Sequence, residues 1–572
     1  MARPLRQLGP FLGTLVAMAC AALAPAASMR MLADEQHDVR ARDALGLSRA
    51  DLALMQFDAA PGQALQLPIP LNGQQATLVL APVSQRAPGF AVRVQGPGGT
   101  WRTADPGPVR TYEGVCPEAP GSRVAAFVHD GAITARIEVP GLPGAFWVEP
   151  ASADVVGEHL RGEGQLHIGY HSLDRVADPE RAAGASACET PLGRWSARHA
   201  EGDAPARSLC TASICVAEIA CDSDYEFFQL YGSVEAVQAQ IERVIAVMNL
   251  QFASEVGIRH RITTILVRTV PGAPYTAVQS QPLLFQFRDH WNLEHTAIAR
   301  DVAKLFTGKA LSAGVLGSAF IGSICNTPTA YAVVRSDCCG GMAGTTDLSA
   351  HELGHVWGAE HCLCSAPAPI STMNAVITFA NTFVTDLSGA SVASITAGRT
   401  AATCLEAETP VPPAGAFALA LPPTETWGLT GPVSLTWNAS ANAAFYLVTI
   451  ADDPAFTAPL LSAATLSPAY TVPGASLAPA TRFHWKVEAW NDASVVTPTS
   501  SGSWTFLTAV PPSDCPGDFF PDNAVNTVDL TFLLGKFGQL VSPGANGDMN
   551  GDGRVTTQDL TAFLGRFGST CP

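Results

Sequence analysis

The chain of 572 residues is 47% hydrophobic and 15% charged, with a formal net charge of −17. That apolar fraction excludes wholesale disorder, and the length implies several domains. The acidic balance argues against nucleic acid as a partner and suits a solubilising, cation-attracting surface.

Met1 to Ala26 carries Arg3 and Arg6, an apolar run from Phe11 to Leu23, and then Ala24-Pro25-Ala26 as a small-residue cleavage site. This is the pattern of a secretory signal peptide. A lipoprotein anchor on Cys20 competes with it, against the poor lipobox of Ala17-Met18-Ala19. No later stretch is expected to cross a bilayer as a helix, since Ala310 to Cys325 is short and broken by Gly314, Gly317 and Gly322. Of 14 cysteines, 13 remain once Cys20 is set aside, and export assigns most of them to disulfides. Nine lie between Cys210 and Cys404, so at least one is free or pairs outside that segment.

Residues 27–205 contain short alternating runs, among them Phe90 to Gln95. Val124 to His129 and Ala132 to Val139 flank Asp130-Gly131, which is a strong hairpin signal. Within 208–406, Ile214 to Ala220 alternates like a strand. Val234, Val237, Ile241, Val244, Ile245, Met248 and Phe252 then recur at helical spacing, and Ile258 to Arg268 reads as a second strand. Leu284 to Trp291 and Thr296 to Phe306 are expected to be two further helices, and Ala330 to Val334 a strand. The segment is therefore of the α/β class.

The run His351-Glu352-Leu353-Gly354-His355-Val356-Trp357-Gly358-Ala359-Glu360-His361 organises this segment. Residues four apart share a helix face, so His351 and His355 can grip one metal, while Glu352 projects beside them as a general base rather than a ligand. Gly358 can take a positive φ, end the helix and bring His361 back as a third ligand. Three protein ligands with an open fourth position is the catalytic zinc pattern.

These residues resemble the metzincin zinc endopeptidases, and Ser371-Thr372-Met373-Asn374 lies where the family's methionine turn stands, which marks Met373. Thr111-Tyr112-Glu113-Gly114 through Pro120-Gly121-Ser122-Arg123-Val124 to Trp147-Val148-Glu149-Pro150 is similar to the β-rich propeptide of the reprolysin (adamalysin) branch. The competing reading is an N-terminal β-domain that is never removed, because only the single basic residues Arg198 and Arg207 offer processing sites before Cys210. The resemblance further implies a Cys325–Cys404 disulfide and makes Ala330 to Val334 the exposed edge on which a peptide substrate pairs, the competing reading being an ordinary interior strand. It also raises a latency switch by a propeptide thiolate, for which Cys188 stands first and Cys116 second, although Cys188 could instead form a disulfide with the catalytic part. Two features depart from the family: Cys362 follows the third histidine where adamalysins usually carry aspartate, and Cys338-Cys339 accompany Cys362 and Cys364. Disulfides are the preferred reading of this cluster over metal binding.

Thr409-Pro410-Val411-Pro412-Pro413 is a proline-stiffened linker. In 414–509, Val433 to Trp437, Phe445 to Ile450 and Thr481 to Trp490 are short strands that resemble a fibronectin type III sandwich, with His484 and the tryptophans as face and core residues. In 514–572, Val528 to Gly538 recurs as Gln558 to Gly568, a period of 30 residues. Asp548, Asn550, Asp552, Gly553 and Asp559 occupy positions 1, 3, 5, 6 and 12 of a calcium loop. This resembles a dockerin-type duplicated module, which implies a cohesin-like docking partner. The first copy keeps Asp518, Asp522 and Asp529 but has Phe520 and Asn523 at positions 3 and 6, which puts its calcium site in doubt. Cys515 and Cys571 bracket the module; the rival reading is an acidic, solvated tail.

The expectation is a multidomain chain with a signal peptide at 1–26, a propeptide-like β-rich region at 27–205 and an α/β metzincin-like catalytic domain at 208–406. A β-sandwich at 414–509 and a small α-helical calcium module at 514–572 follow. The function implied is a secreted zinc endopeptidase cleaving protein or peptide substrates through a zinc-bound water activated by Glu352, with retention at the cell surface through the C-terminal module. The alternative is an extracellular calcium-dependent binding or scaffold subunit with an inactive metallopeptidase-like domain, against which the intact Glu352 argues.

Overall fold

The computed structural model describes residues 27–32, 35–57, 59, 61–151, 164–175, 210–272, 274–335, 338–362, 371–384, 389–408, 412–457, 459–479, 481–491, 496–508, 516–520, 522–541, 546–550 and 553–570. The signal-peptide stretch, Cys20, Cys188, Arg198, Arg207, Cys364, Cys515, Asp552 and Cys571 lie outside them.

The first unit contains β1 (Ser28–Leu32), helix α1 (Glu35–Leu45), β2 (Asp51–Gln56), β3 (Leu65–Leu71), β4 (Gln74–Pro82), β5 (Arg86–Gln95) and β6 (Trp101–Ala104). It continues with β7 (Thr111–Val115), β8 (Arg123–His129), β9 (Ala132–Glu138), β10 (Phe146–Pro150) and β11 (Gln165–His171). Nine of these strands form one antiparallel sheet in the order β1-β2-β11-β10-β9-β8-β7-β4-β3. The β8–β9 hairpin turns on Asp130 and Gly131 at φ 49° and 70°, the paired positive values that an Asp-Gly turn supplies.

Strands β5 and β6 leave that sheet and join a second one, which contains β12 (Cys215–Ser223), β13 (Ile258–Arg268), β14 (Val302–Thr307), β15 (Gly317–Ala319), β16 (Tyr331–Arg335) and β17 (Glu406–Ala407). Its order is β15-β16-β14-β12-β13-β5-β6, with β17 against the start of β12. The strands from β16 through β5 run parallel to their neighbours, whereas β15 and β6 are antiparallel. The sequence units 27–205 and 208–406 are thus joined by a shared sheet.

The helices of this part are α2 (Tyr225–Tyr231), α3 (Val234–Val256), α4 (Ser280–Glu294), α5 (Met342–Val356) and α6 (Ala390–Ala401). Helix α3 follows the expected apolar spacing, starts where Ser233 accepts from the Ala236 N–H and stops at Gly257 in the left-handed region. Helices α3 and α5 share one core with the sheet, while Leu283, Leu284, Phe287 and Trp291 of α4 pack into a separate cluster with Leu266 and Leu305.

Two expectations are corrected. Thr296 to Phe306 is not a helix: its second half is strand β14, whose six residues are all buried. A central parallel strand is apolar on both faces, and a short continuous apolar run carries no period that separates it from a buried helix. Ala330 to Val334 is not the edge: β16 lies between β14 and β15, and the edge is the three-residue β15. Gly-Ser-Ala has neither β-branched residues nor room for alternation, so the sequence conceals it.

Beyond the linker, a three-stranded and a six-stranded sheet share a core that includes Trp437, Val448, Phe483 and Trp485. The final unit is a pair of short helices, α7 (Thr527–Gly535) and α8 (Thr557–Leu564), around Val525, Leu533, Val555 and Phe563. No described helix is long and apolar enough to cross a membrane.

Candidate metal centre and active site

All fifteen residues of α5 are buried, His351, Glu352 and His355 among them. The helix ends at Trp357, and Gly358 at φ 103° reverses the chain, a backbone value that side-chain-bearing residues rarely adopt. The turn is fastened by Gly358 N–H on the His355 carbonyl at 2.8 Å and Ala359 N–H on the Gly354 carbonyl at 2.9 Å. The loop after β15 closes the same helix end, with Gly322 N–H on the His355 carbonyl at 2.9 Å and Ser323 N–H on that of Val356 at 3.0 Å.

The reversal brings His361 to the helical pair, its ring centroid 5.2 Å from that of His351 and 4.9 Å from that of His355. His351 Nδ1 faces the Thr372 carbonyl and His355 Nδ1 the Ala359 carbonyl, each at 2.7 Å. A carbonyl only accepts, so each Nδ1 carries the proton and each Nε2 keeps its lone pair. Those two Nε2 atoms stand 3.0 Å apart. Two lone pairs so close repel unless a cation lies between them. The buried Nε2 of His361 has no hydrogen-bond partner among the described residues. One nitrogen from each of the three rings lies within 4.8 Å of the others, so the set could hold a metal ion. Burial lowers all three pKa values, that of His351 to about 3, so the rings are neutral at physiological pH, the form able to ligate a metal.

Met373 is fully buried, and its Sδ lies 2.5 Å from where a Cβ would stand on Gly354. The turn holding it is closed by Asn374 N–H on the Ser371 carbonyl at 3.0 Å, and Cys362 N–H donates to the Met373 carbonyl at 2.9 Å. Residues 371–374 thus support His351 from below through Thr372 and tie down the residue after His361.

Glu352 is fully buried beside the edge strand: a Cβ on Gly317 would stand 2.3 Å from its Oε1. Three supporting residues escaped the sequence reading. Asp347, one turn before His351, accepts from Thr372 Oγ1 at 2.7 Å and Asn381 N–H at 3.0 Å. Lys304 of β14 is fully buried and donates to the Ser349 carbonyl at 2.8 Å. Gly317 is the third. Only Asp347 left a signal, an acid four residues before a histidine on the same helix face.

Cys325 and Cys404 are joined, as the resemblance implied, and Cys210 pairs with Cys215. Cys338 and Cys339 bond to each other and Cys362 is in a disulfide, so these sulfurs are not metal ligands. Cys116 is corrected as a latency candidate: it is buried in the N-terminal sheet's core, where its Sγ contacts Glu118 at 3.5 Å. Burial pushes its pKa up to about 12, with Glu118 adding to the shift, so no thiolate is available.

In the C-terminal unit Asp518, Asp522 and Asp529 come together with ligand oxygens within 4.8 Å of one another. Asn523 takes the glycine's place at φ 64°, and its N–H reaches Asp518 Oδ2 at 3.1 Å, as Gly553 N–H reaches Asp548 Oδ2 at 2.7 Å. The two copies therefore make the same hydrogen bond at this position, because asparagine tolerates the left-handed region. Asp559 accepts from Met549 and Asn550 N–H groups at 2.8 and 3.1 Å, as Asp529 does from Phe519 and Phe520.

Residues 213–394 match the family model Reprolysin_5, Metallo-peptidase family M12. The human protein "Disintegrin and metalloproteinase domain-containing protein 15" (Homo sapiens) is 35% identical over 91 residues, 14% of this chain and 10% of that protein. The chain thus spans about a tenth of the length of that curated relative. A solved "Structure of a chaperone-substrate complex" aligns over 33% of this chain and 35% of its own at 15% identity, with a TM-score of 0.26, a likeness too slight to bear on the fold. The family match and the human relative, together with three histidines able to hold a metal ion, support a reprolysin-type metalloprotease domain in residues 213–394.

Proposed function

We propose that the chain is a secreted zinc-dependent endopeptidase in which His351, His355 and His361 hold the metal and Glu352 is the general base. The observation that carries this reading is the pair of imidazole Nε2 atoms facing each other at 3.0 Å with both Nδ1 protons committed to carbonyls. Zinc, when bound, supplies Lewis acidity that lowers the pKa of a water and polarises a carbonyl. Glu352 takes a proton from the attacking water and returns it to the leaving amine. The carbonyls of Thr372 and Ala359 fix ring tautomer and direction, and Met373 packs under the helix so that the rings do not turn. An extended peptide pairs along the outer edge of β15, whose main-chain groups give affinity without reading side chains.

The C-terminal parts are proposed to be a fibronectin type III-like spacer and a dockerin-like module binding calcium through Asp548, Asn550, Asp552 and Asp559. The hydrogen bonds the two copies share and the Asp518, Asp522 and Asp529 cluster support extending the proposal to the first copy. Calcium-dependent docking would retain the enzyme at a surface bearing a cohesin-like partner. Cys188, the first candidate for a latency thiol, lies outside the described residues.

Zinc dependence is tested by treating the purified chain with a chelator and restoring metal while following cleavage of an unstructured protein. Loss of cleavage and recovery with one equivalent of zinc are expected; cleavage that persists in metal-free protein contradicts the reading.

A further inference from the structure

Strand β13 would be the outer edge of the catalytic sheet were it not for β5. From Ile262 to Arg268 it pairs with Arg86 to Gln95, and the Ile262 N–H donates to the Gln85 carbonyl at 2.8 Å. Removing β5 would uncover a row of unpaired main-chain groups flanked by apolar side chains. The core is shared as well: Val92, Val94, Trp147, Leu166 and Tyr170 belong to the same buried cluster as Ile265, Met248 and Leu348. Arg86 reaches both oxygens of Glu242 on α3, at 2.7 and 3.2 Å, and Glu242 is 3% exposed. A carboxylate so buried loses this guanidinium partner if Arg86 leaves, and keeps the Gln238 amide at 3.1 Å, which carries no compensating charge. Val79, Ala81 and Val115 also pack on Phe445 and Ala464 of the following two-sheet unit.

The histidine-bearing helix depends on the same region. Gly341 gives α5 no side-chain cap. The cap comes instead from β10: the Met342 N–H donates to Glu149 Oε2 at 2.9 Å, while Tyr170 Oη donates to Glu149 Oε1 at 2.6 Å. A carboxylate at this end also complements the helix dipole. Burial raises the Glu149 pKa, opposed by the bonds from Tyr170 and Met342. A second tie runs from Arg136 on β9, 2% exposed, whose Nη2 donates to the Asn381 carbonyl at 2.6 Å. Asn381 N–H bonds Asp347, Asp347 holds Thr372, and Thr372 holds His351.

We propose that residues 28–175 are a resident part of the working enzyme rather than a leader released on activation, and that Glu149 within them is a positioning residue for the helix bearing His351, Glu352 and His355. The second half rests on the peptidase reading; the first does not.

Both halves are tested in the full chain. A specific protease site placed within 176–209 is cut, and the nicked protein is passed through a native sizing column and assayed. Co-elution of the two pieces, with turnover per bound zinc within about twofold of the uncut chain, is expected. Separation of the N-terminal piece from a folded, active remainder overturns residency, as does a rise in turnover of about tenfold or more on release. Co-elution with both forms inactive supports residency and counts against the peptidase reading. For Glu149, kcat per zinc-loaded molecule should fall about tenfold in Glu149→Ala with KM unchanged, and Glu149→Gln should recover most of it by keeping an acceptor for Met342. A Glu149→Ala protein that only melts earlier, with parental kcat per zinc, overturns the positioning role.

Discussion

Gly317 shows how closely one residue can govern the site. Its missing side chain is the space in which the Glu352 carboxylate sits, 2.3 Å from where a Cβ would stand. Gly317→Ala should therefore displace Glu352 and lower kcat by about a hundredfold while zinc content stays at the parental level, measured by peptide turnover beside metal analysis. Unchanged kcat would mean that Glu352 acts from another position. The buried histidines outside the site give a second expectation. Burial lowers the pKa of His260 to about 3 and that of His167 to about 4. The unfolded chain takes up these protons below its ordinary value near 6.5, and the folded chain does not. Stability is thus fully present above that value and is lost as pH falls towards the folded pKa values. Between pH 7 and 5 each histidine should contribute about 2 kcal/mol to the loss, read as a shift in denaturant midpoint, and His167→Asn should remove its share. The histidines proposed to hold the metal were legible because helical spacing places i and i+4 on one face. The hydrogen bonds that tie Asp347 to Thr372 and Asn381 were not, since a partner brought in from 25 to 34 residues away leaves no local period.

At the scale of elements, legibility followed apolar spacing. Helix α3 is buried almost all round from Val237 to Phe252, yet its large apolar residues recur at helical spacing and it was read nearly to its ends, and the Asp130-Gly131 hairpin announced itself by turn chemistry. Strand β14 was missed because burial on both faces erases the alternation that marks a strand. Strand β15 was missed because its three residues are stabilised by pairing with β16 rather than by their own propensity. Its outer side, away from β16, is the proposed docking edge for substrate. A cleavable peptide N-methylated at the backbone amides that pair there should show KM raised about tenfold or more against its unmethylated parent, with kcat much less affected. Equal KM values would move substrate recognition from main chain to side chains.

The whole molecule joins the core around the candidate metal site to an N-terminal sheet and to two C-terminal units, and the boundaries between them were the least legible feature. Composition marks the proline-rich linker at 409–413, but nothing in residues 86–104 signals that they desert one sheet for another, because the pairing partner is more than 150 residues away. The C-terminal unit carries its own expectation. Burial, with the Asp529 and Asp522 carboxylates adding to it, holds the Asp518 pKa above the usual range, so a cation among these acids should be stabilising. Adding calcium to the full chain should raise the melting temperature of the C-terminal transition by about 10 °C or more, and Asp559→Ala should blunt the rise. A calcium-insensitive transition would leave the unit an acidic helical pair without a metal. The central claim is that Glu352 is a base and not a ligand, and it is tested most directly by comparing zinc content and peptide turnover in the parent and in Glu352→Ala. The account predicts one zinc per chain in both, with turnover reduced about a thousandfold in the variant. Parental turnover in Glu352→Ala would contradict it.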